Sequence, residues 1–199
     1  MPSPVSAGSP SHPRVALTFD DGPDGMQTRN VLAVLERENA RATFFLTGGS
    51  IEWNPSIARD TAAAGHEVAN HGYRHYRMTG VPPLFVWANI AMGNELVEAV
   101  TGVRPRWFRP PHGACDETVL SCAAACGLQT VLWNVMTHDW QPRATVDAIA
   151  ERIAAADAGA IVLCHDKGPR IAAALLKAIP RLKEKGLTLV TLATLLGDD

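Results

Sequence analysis

Short apolar runs alternate with segments of helical periodicity along nearly the whole chain. The apolar runs are Val15–Phe19, Thr43–Leu46, Glu67–Ala69, Trp107–Arg109, Thr130–Val135, Ile161–Cys164 and Thr188–Leu192. Between them, Thr28–Asn39, Pro55–Ala64, Leu84–Thr101, Glu117–Cys126, Thr145–Asp157 and Pro169–Lys185 carry helical character. Gly65, Gly127, Gly159 and Gly186 follow helical stretches, where a left-handed cap residue is wanted, and Thr145 stands where an N-cap is wanted. Strand and helix alternating in this way mean parallel pairing through right-handed crossovers. The chain of 199 residues is short for an eight-unit barrel of about 250. The expectation is therefore an α/β fold, a distorted (β/α)7 barrel, forming a single domain over residues 14–199.

Composition narrows the partners. A formal charge of −2 with no basic block leaves no electrostatic footprint for nucleic acid or an acidic membrane. No apolar run reaches the roughly 18 residues of a membrane span. Residues 1–13, rich in Pro, Ser and Gly, lack a basic n-region and an apolar h-region. They read as a flexible leader, and the chain as cytoplasmic, or secreted if a signal has been removed. Cys115, Cys122, Cys126 and Cys164 fit no zinc-ribbon spacing and lie in helix-like or strand-like apolar surroundings, so reduced, mostly buried thiols are expected.

Parallel α/β folds gather their chemistry at the carboxyl ends of the strands. The first run ends in Asp20-Asp21-Gly22-Pro23, and adjacent carboxylates repel unless a cation or a proton relieves them. The third runs into His71-Gly72-Tyr73-Arg74-His75, two imidazoles four apart. With Asp21 they make an Asp/His/His set that leaves coordination positions open, the mark of a catalytic metal site. The fourth ends in Arg109-Pro110-Pro111-His112. Arg109 is a cation after an apolar pair that needs a carboxylate partner, for which Asp20 and Asp21 are the candidates. The fifth leads to His138-Asp139-Trp140 and the sixth to Leu163-Cys164-His165-Asp166. Of seven histidines, five (71, 75, 112, 138 and 165) follow strands directly, and this clustering at one end of the fold points to an active site.

Five blocks in order, Thr18–Pro23, Asn70–His75, Arg109–Gly113, His138–Trp140 and Leu163–Asp166, resemble the polysaccharide deacetylase family, the NodB-homology or carbohydrate esterase family 4 domain. The resemblance runs from Val15 to about Leu196. It implies a distorted barrel and the hydrolysis of N-acetyl groups on an amino-sugar substrate such as a chitooligosaccharide or peptidoglycan. It implies one divalent metal ion on Asp21, His71 and His75, most readily zinc, with cobalt, nickel, manganese or iron as competitors. Asp20 would be the general base, held by Arg109, and His165 the general acid, oriented by Asp139. The His112 backbone N–H would hold the oxyanion beside Pro110 and Pro111, and Trp140 and Leu163 would line the acetyl pocket. Three positions depart from the family pattern: Gly72 for Ser or Thr, His112 for Tyr, and Met136 for an Asp. They bear on metal affinity, groove surface and substrate preference. A monomer is expected. Two alternatives stay open, a deacylase of small non-carbohydrate amides and a non-haem iron oxygenase, which uses the same ligand set on an all-β scaffold.

Overall fold

Strand geometry sends alternate side chains to opposite faces, and the first strand, β1 (Arg14–Asp20), shows the consequence. Val15, Leu17 and Phe19 pack outward into the core shared with the helices. Ala16 belongs instead to an inner cluster with Phe45, Trp107, Val131 and Ile161. Thr18 and Asp20 continue that inner face, so the first carboxylate of the pair points into the fold.

The computed structural model describes residues 3–197. Met1 and Pro2 of the expected leader, and Asp198 and Asp199 of the expected domain, lie outside the described residues. After β1 come α1 (Gly25–Arg37), β2 (Thr43–Leu46), α2 (Gly48–Trp53), α3 (Pro55–Ala63), β3 (Glu67–Asn70), α4 (Pro83–Thr101) and β4 (Trp107–Phe108). A 3-10 turn (Pro111–Gly113) leads to α5 (Glu117–Ala125), β5 (Gln129–Thr130), β6 (Val135–Met136) and α6 (Val146–Ala154). The chain ends with β7 (Ile161–His165), α7 (Ile171–Glu184), β8 (Thr188–Leu189) and α8 (Leu192–Leu196). The sheet runs β5-β4-β3-β2-β1-β7-β6, with β8 paired to the first residues of β1, and every ladder is parallel.

The run Thr130–Val135 is not one strand, as the sequence suggested. It divides into β5 and β6, which lie at opposite ends of the sheet. The physical reason is a buried cation: Arg109 takes the carbonyls of Val131 (Nε, 3.2 Å) and Leu132 (Nη2, 2.9 Å) away from any ladder. Val131–Asn134 alone joins the two edges. At roughly 3.3–3.6 Å per residue this crossing spans at most about 18 Å, so the sheet curls into an incompletely closed barrel. The leader covers that gap. Val5 donates to the Thr130 carbonyl at 3.0 Å and accepts from the Leu132 N–H at 2.7 Å, and Gly8 N–H reaches the Gly159 carbonyl at 2.8 Å. Val5 and Gly8 of the leader are thus hydrogen-bonded to the barrel.

The expected helices are present. Gly65, Gly127, Gly159 and Gly186 all have positive φ, and the Thr145 hydroxyl caps α6 through Ala148 N–H. The α7 helix buries Ile171, Ala174, Leu175, Ala178, Ile179 and Leu182, the i, i+3, i+4 stripe of a core-facing helix. All four cysteines are free, with Cys122 and Cys164 buried. No described helix is long and apolar enough to cross a membrane.

The α4 helix supports the loop that follows β3. At Gly93 a Cβ would stand 2.7 Å from Asn70 Oδ1, 2.8 Å from the Gly72 carbonyl carbon and 3.0 Å from Tyr73 N. Backbone on the far side cannot yield as a flexible side chain would. Gly93→Ala is therefore expected to cost about 1–3 kcal/mol by overpacking, although alanine is the better helix former. Urea denaturation checks this, and an unchanged or raised midpoint would contradict it.

Candidate active site

Two adjacent strand residues ordinarily face opposite ways, yet Asp20 and Asp21 serve one site. Asp20 keeps strand geometry and points inward, whereas Asp21 has a left-handed φ of 77° that turns its carboxylate back over the strand end. Its backbone is held by the start of α2, where Ser50 Oγ donates to the Asp21 carbonyl at 2.8 Å and Thr47 N–H donates to the Gly22 carbonyl at 3.0 Å. Below Gly22 lies Asp166, fully buried, whose Oδ2 accepts from Thr28 Oγ1 at 2.6 Å. A Cβ at residue 22 would fall 2.3 Å from that carboxylate, so only glycine fits between the two elements. Burial pushes the Asp166 carboxyl up to about 7 against the pull of the Thr28 bond.

His71 follows Ala69 on the inner face of β3. Its Nδ1 faces the Arg109 carbonyl at 2.7 Å, and an acceptor there requires Nδ1 to carry the proton. In the neutral ring Nε2 is then a bare lone pair, 3.3 Å from Asp21 Oδ1, while His75 Nε2 lies 3.1 Å from the same oxygen. Asp21 Oδ1 is buried and has no hydrogen-bond partner. Burial alone would raise its pKa, but His71 and His75, where their rings carry a second proton, outweigh that through a hydrogen bond and positive charge and hold the carboxyl well below the usual range. The three donor atoms lie within 4.8 Å of one another. Electron pairs converging on an orphaned carboxylate oxygen fit a divalent cation.

Asp20 and Arg109 form a buried pair, Nη1 to Oδ1 at 2.8 Å. The same Nη1 also donates to Thr18 Oγ1 at 2.7 Å, and the guanidinium lies over the Phe45 ring at 4.1 Å. With the two carbonyls of the edge crossing, the arginine has all its bonds inside the barrel. The arrangement fixes Asp20 Oδ1 and leaves Oδ2 toward the cavity, 3.8 Å from His71 Nε2.

On the neighbouring strand β7, whose last residue His165 is the register partner of Asp20, His165 Nδ1 lies 2.9 Å from Asp139 Oδ1, and the His165 backbone N–H donates to Asp139 Oδ2 at 2.7 Å. Burial disfavours a charged imidazole here. The Asp139 bond and the charges of Asp20, Asp139 and Asp21 oppose it and raise the pKa to about 9. Trp140 packs edge-on against the ring, centroids 5.1 Å apart. The Asp21/His71/His75 donor set, the buried Asp20 carboxylate and the His165 imidazole thus surround one cavity of about 380 Å³.

Residues 7–131 match the pattern of the family described as polysaccharide deacetylase. This chain belongs to the polysaccharide deacetylase family. It is 37% identical over 185 residues to the peptidoglycan-N-acetylglucosamine deacetylase PgdA of Listeria monocytogenes, covering 93% of this chain and 39% of that one. The chain thus spans well under half the length of that relative. Among solved structures, the Bc1960 peptidoglycan N-acetylglucosamine deacetylase superposes with a TM-score of 0.92 at 34% identity, covering 97% of this chain and 92% of that one. BA3943 of Bacillus anthracis, described as a CE4 family pseudoenzyme, gives a TM-score of 0.93 at 31% identity, covering 98% and 69%.

Within this family fold, Asp20, Asp21, His71, His75, His112, Trp140, Leu163 and His165 line the cavity as the motifs led one to expect. Arg109 and Asp139 do not line it. They stand behind Asp20 and His165, each bonded to one of them. Pro110 and Pro111 are likewise outside the lining; they deliver His112 at a left-handed φ of 62°. His138 does not border the cavity but packs against Trp140. Gly113 of the fourth block and Met136, whose departure from the family pattern bears on substrate preference, also line the cavity, and Trp133 lines it without any signal in the sequence reading. The His112 ring also does more than its backbone suggested, packing edge-on against His75 at 4.6 Å and steadying that ligand.

Proposed function

We propose that this chain is a metal-dependent hydrolase that removes N-acetyl groups from an amino-sugar-containing substrate and releases acetate. Membership of the family does not by itself carry activity, since one relative is described as a pseudoenzyme. The observation that carries the proposal is the arrangement of three groups around one cavity: the orphaned Asp21 Oδ1 between two imidazole nitrogens, Asp20 locked by Arg109, and His165 held by Asp139.

Asp21, His71 and His75 would hold the ion, and their nitrogen and oxygen donors suit zinc, with cobalt, nickel, manganese and iron as competitors. Such an ion polarises a carbonyl oxygen and acidifies water. Asp20 Oδ2 takes the proton of the attacking water, because Arg109 holds Oδ1 and leaves Oδ2 facing the cavity. The His112 backbone N–H is the donor for the developing oxyanion, an interaction worth roughly 2.7–4 kcal/mol in comparable sites. His165 gives its proton to the departing amine, which leaves poorly without one. Trp140 and Leu163 receive the acetyl methyl.

The expected acidity of His165 sets a pH dependence. A pKa near 9 keeps the imidazole protonated at neutral pH, so kcat should hold through neutrality and fall as pH rises through that value. Asp139→Asn removes the main support of the charged ring and should move the alkaline limb to lower pH. The pH profile of kcat checks this, and a limb unmoved by the substitution would contradict the assignment. The proposal itself is tested by acetate release from N-acetylglucosamine oligomers and from glycan strands, with and without chelator. Chelation should abolish release and added zinc restore it. Absence of acetate from every such substrate would overturn the proposal.

A further inference from the structure

Beside the carboxylates, along β7 and β6, the cavity lining is apolar, and its construction bears on what the site accepts. On β7, Ile161 belongs to the inner cluster and Val162 and Cys164 to the outer core, so Leu163 and His165 also face inward. Met136 of β6 is the register partner of Leu163. The two therefore stand side by side on the inner face, and both border the cavity. Trp140 closes the arc against His165 yet is 48% exposed, and Met136 is only half-buried. No polar side chain stands between Leu163 and Met136.

We infer that the wall formed by Leu163, Met136 and Trp140 admits N-propionyl and N-butyryl groups as well as N-acetyl, with Met136 as the residue that sets acyl length. The inference rests on the deacetylase reading above and extends it to a wider substrate class. With the carbonyl beside Asp21, His71 and His75 and the amine beside His165, the apolar side chains left to receive the acyl chain are Leu163, Met136, Trp140 and Trp133. A pocket that stops at one methyl needs a rigid end. Here the lining includes Met136, an unbranched thioether with three rotatable bonds, which re-packs around a longer chain. Each further methylene laid on the wall exchanges water for apolar contact and offsets the crowding it causes. The reaction is otherwise the same. Water oxygen bonds to the acyl carbon, its proton passes to Asp20, the C–N bond breaks, and the amine leaves with the His165 proton. The product is propionate or butyrate in place of acetate.

The test compares kcat/KM for one glucosamine oligomer carrying N-acetyl, N-propionyl or N-butyryl groups. A strict methyl pocket discriminates by roughly 10–200-fold per methylene. The protein is expected to process the propionyl substrate within about tenfold of the acetyl one. Met136→Phe should lower the butyryl-to-acetyl ratio by at least about tenfold and Met136→Ala should raise it, the ratio cancelling any loss of folded protein. A second readout does not depend on turnover: butyrate should protect the zinc-loaded protein from thermal unfolding at least as well as acetate. Acetate release without release of propionate or butyrate, ratios unmoved by both variants, or protection by acetate alone would each overturn the inference and leave the deacetylase reading standing. Failure to release any acyl group would overturn both.

Discussion

Asp20→Asn is expected to keep the fold and the metal site and to lower kcat by about 10²–10⁴-fold, the usual contribution of a positioned proton acceptor. The amide can still accept the Arg109 hydrogen bond through its oxygen. Its nitrogen has no lone pair with which to take a proton from water. The same change removes the carboxylate that, among the described residues, pairs with the fully buried Arg109 guanidinium. Breaking a buried pair of this kind costs roughly 3–5 kcal/mol where nothing compensates. Here the arginine keeps Thr18 Oγ1 and the carbonyls of Val131 and Leu132, so the loss should fall at or below the lower end of that range. Urea denaturation and acetate release measured on the same preparation separate the two effects. Turnover near that of the wild type would remove Asp20 from the proton-accepting role.

His71→Ala is expected to remove metal binding and activity together. The ring supplies one of three donors and is aimed by the Arg109 carbonyl. Loss of an outer-shell partner alone typically costs about 10–100-fold in affinity, and loss of the ligand should exceed that. The truncation also leaves the Arg109 carbonyl without its partner in a buried position, so a modest fall in stability should accompany it. Metal analysis of the purified variant decides the matter, because full occupancy would mean that Asp21 and His75 suffice.

Much of this site could be read before any coordinates, for a reason that lies in the strands. Parallel strands place their carboxyl ends on one side, so Asp20, His71, Arg109 and His165 needed only their positions after apolar runs to be grouped. The turn that brings Asp21 beside Asp20 was also legible, since Asp-Gly-Pro tolerates unusual backbone. What escaped depends on contacts distant in sequence. The α2 helix begins Gly48-Gly49 and reads as a turn, yet its Thr47 cap and Ser50 hold the Asp21 backbone; the Thr47 capping position was the one available signal. The strand break at Val131–Asn134 follows from Arg109, 22 residues earlier than the Val131 carbonyl it binds. Nothing in the apolar run itself marks it. Trp133 and Met136 enter the cavity because of that break, and nothing beside Asp166 in the sequence marks it as wholly buried.

The most direct test is a titration of chelator-treated protein with zinc, following bound ion and acetate release from an N-acetylglucosamine oligomer in the same samples. The account predicts that both rise together and saturate at one ion per chain, and that Asp20→Asn binds its equivalent of zinc without releasing acetate. Acetate release at full rate before any ion is bound would contradict it, as would tight binding of one ion with no hydrolysis of any N-acyl sugar.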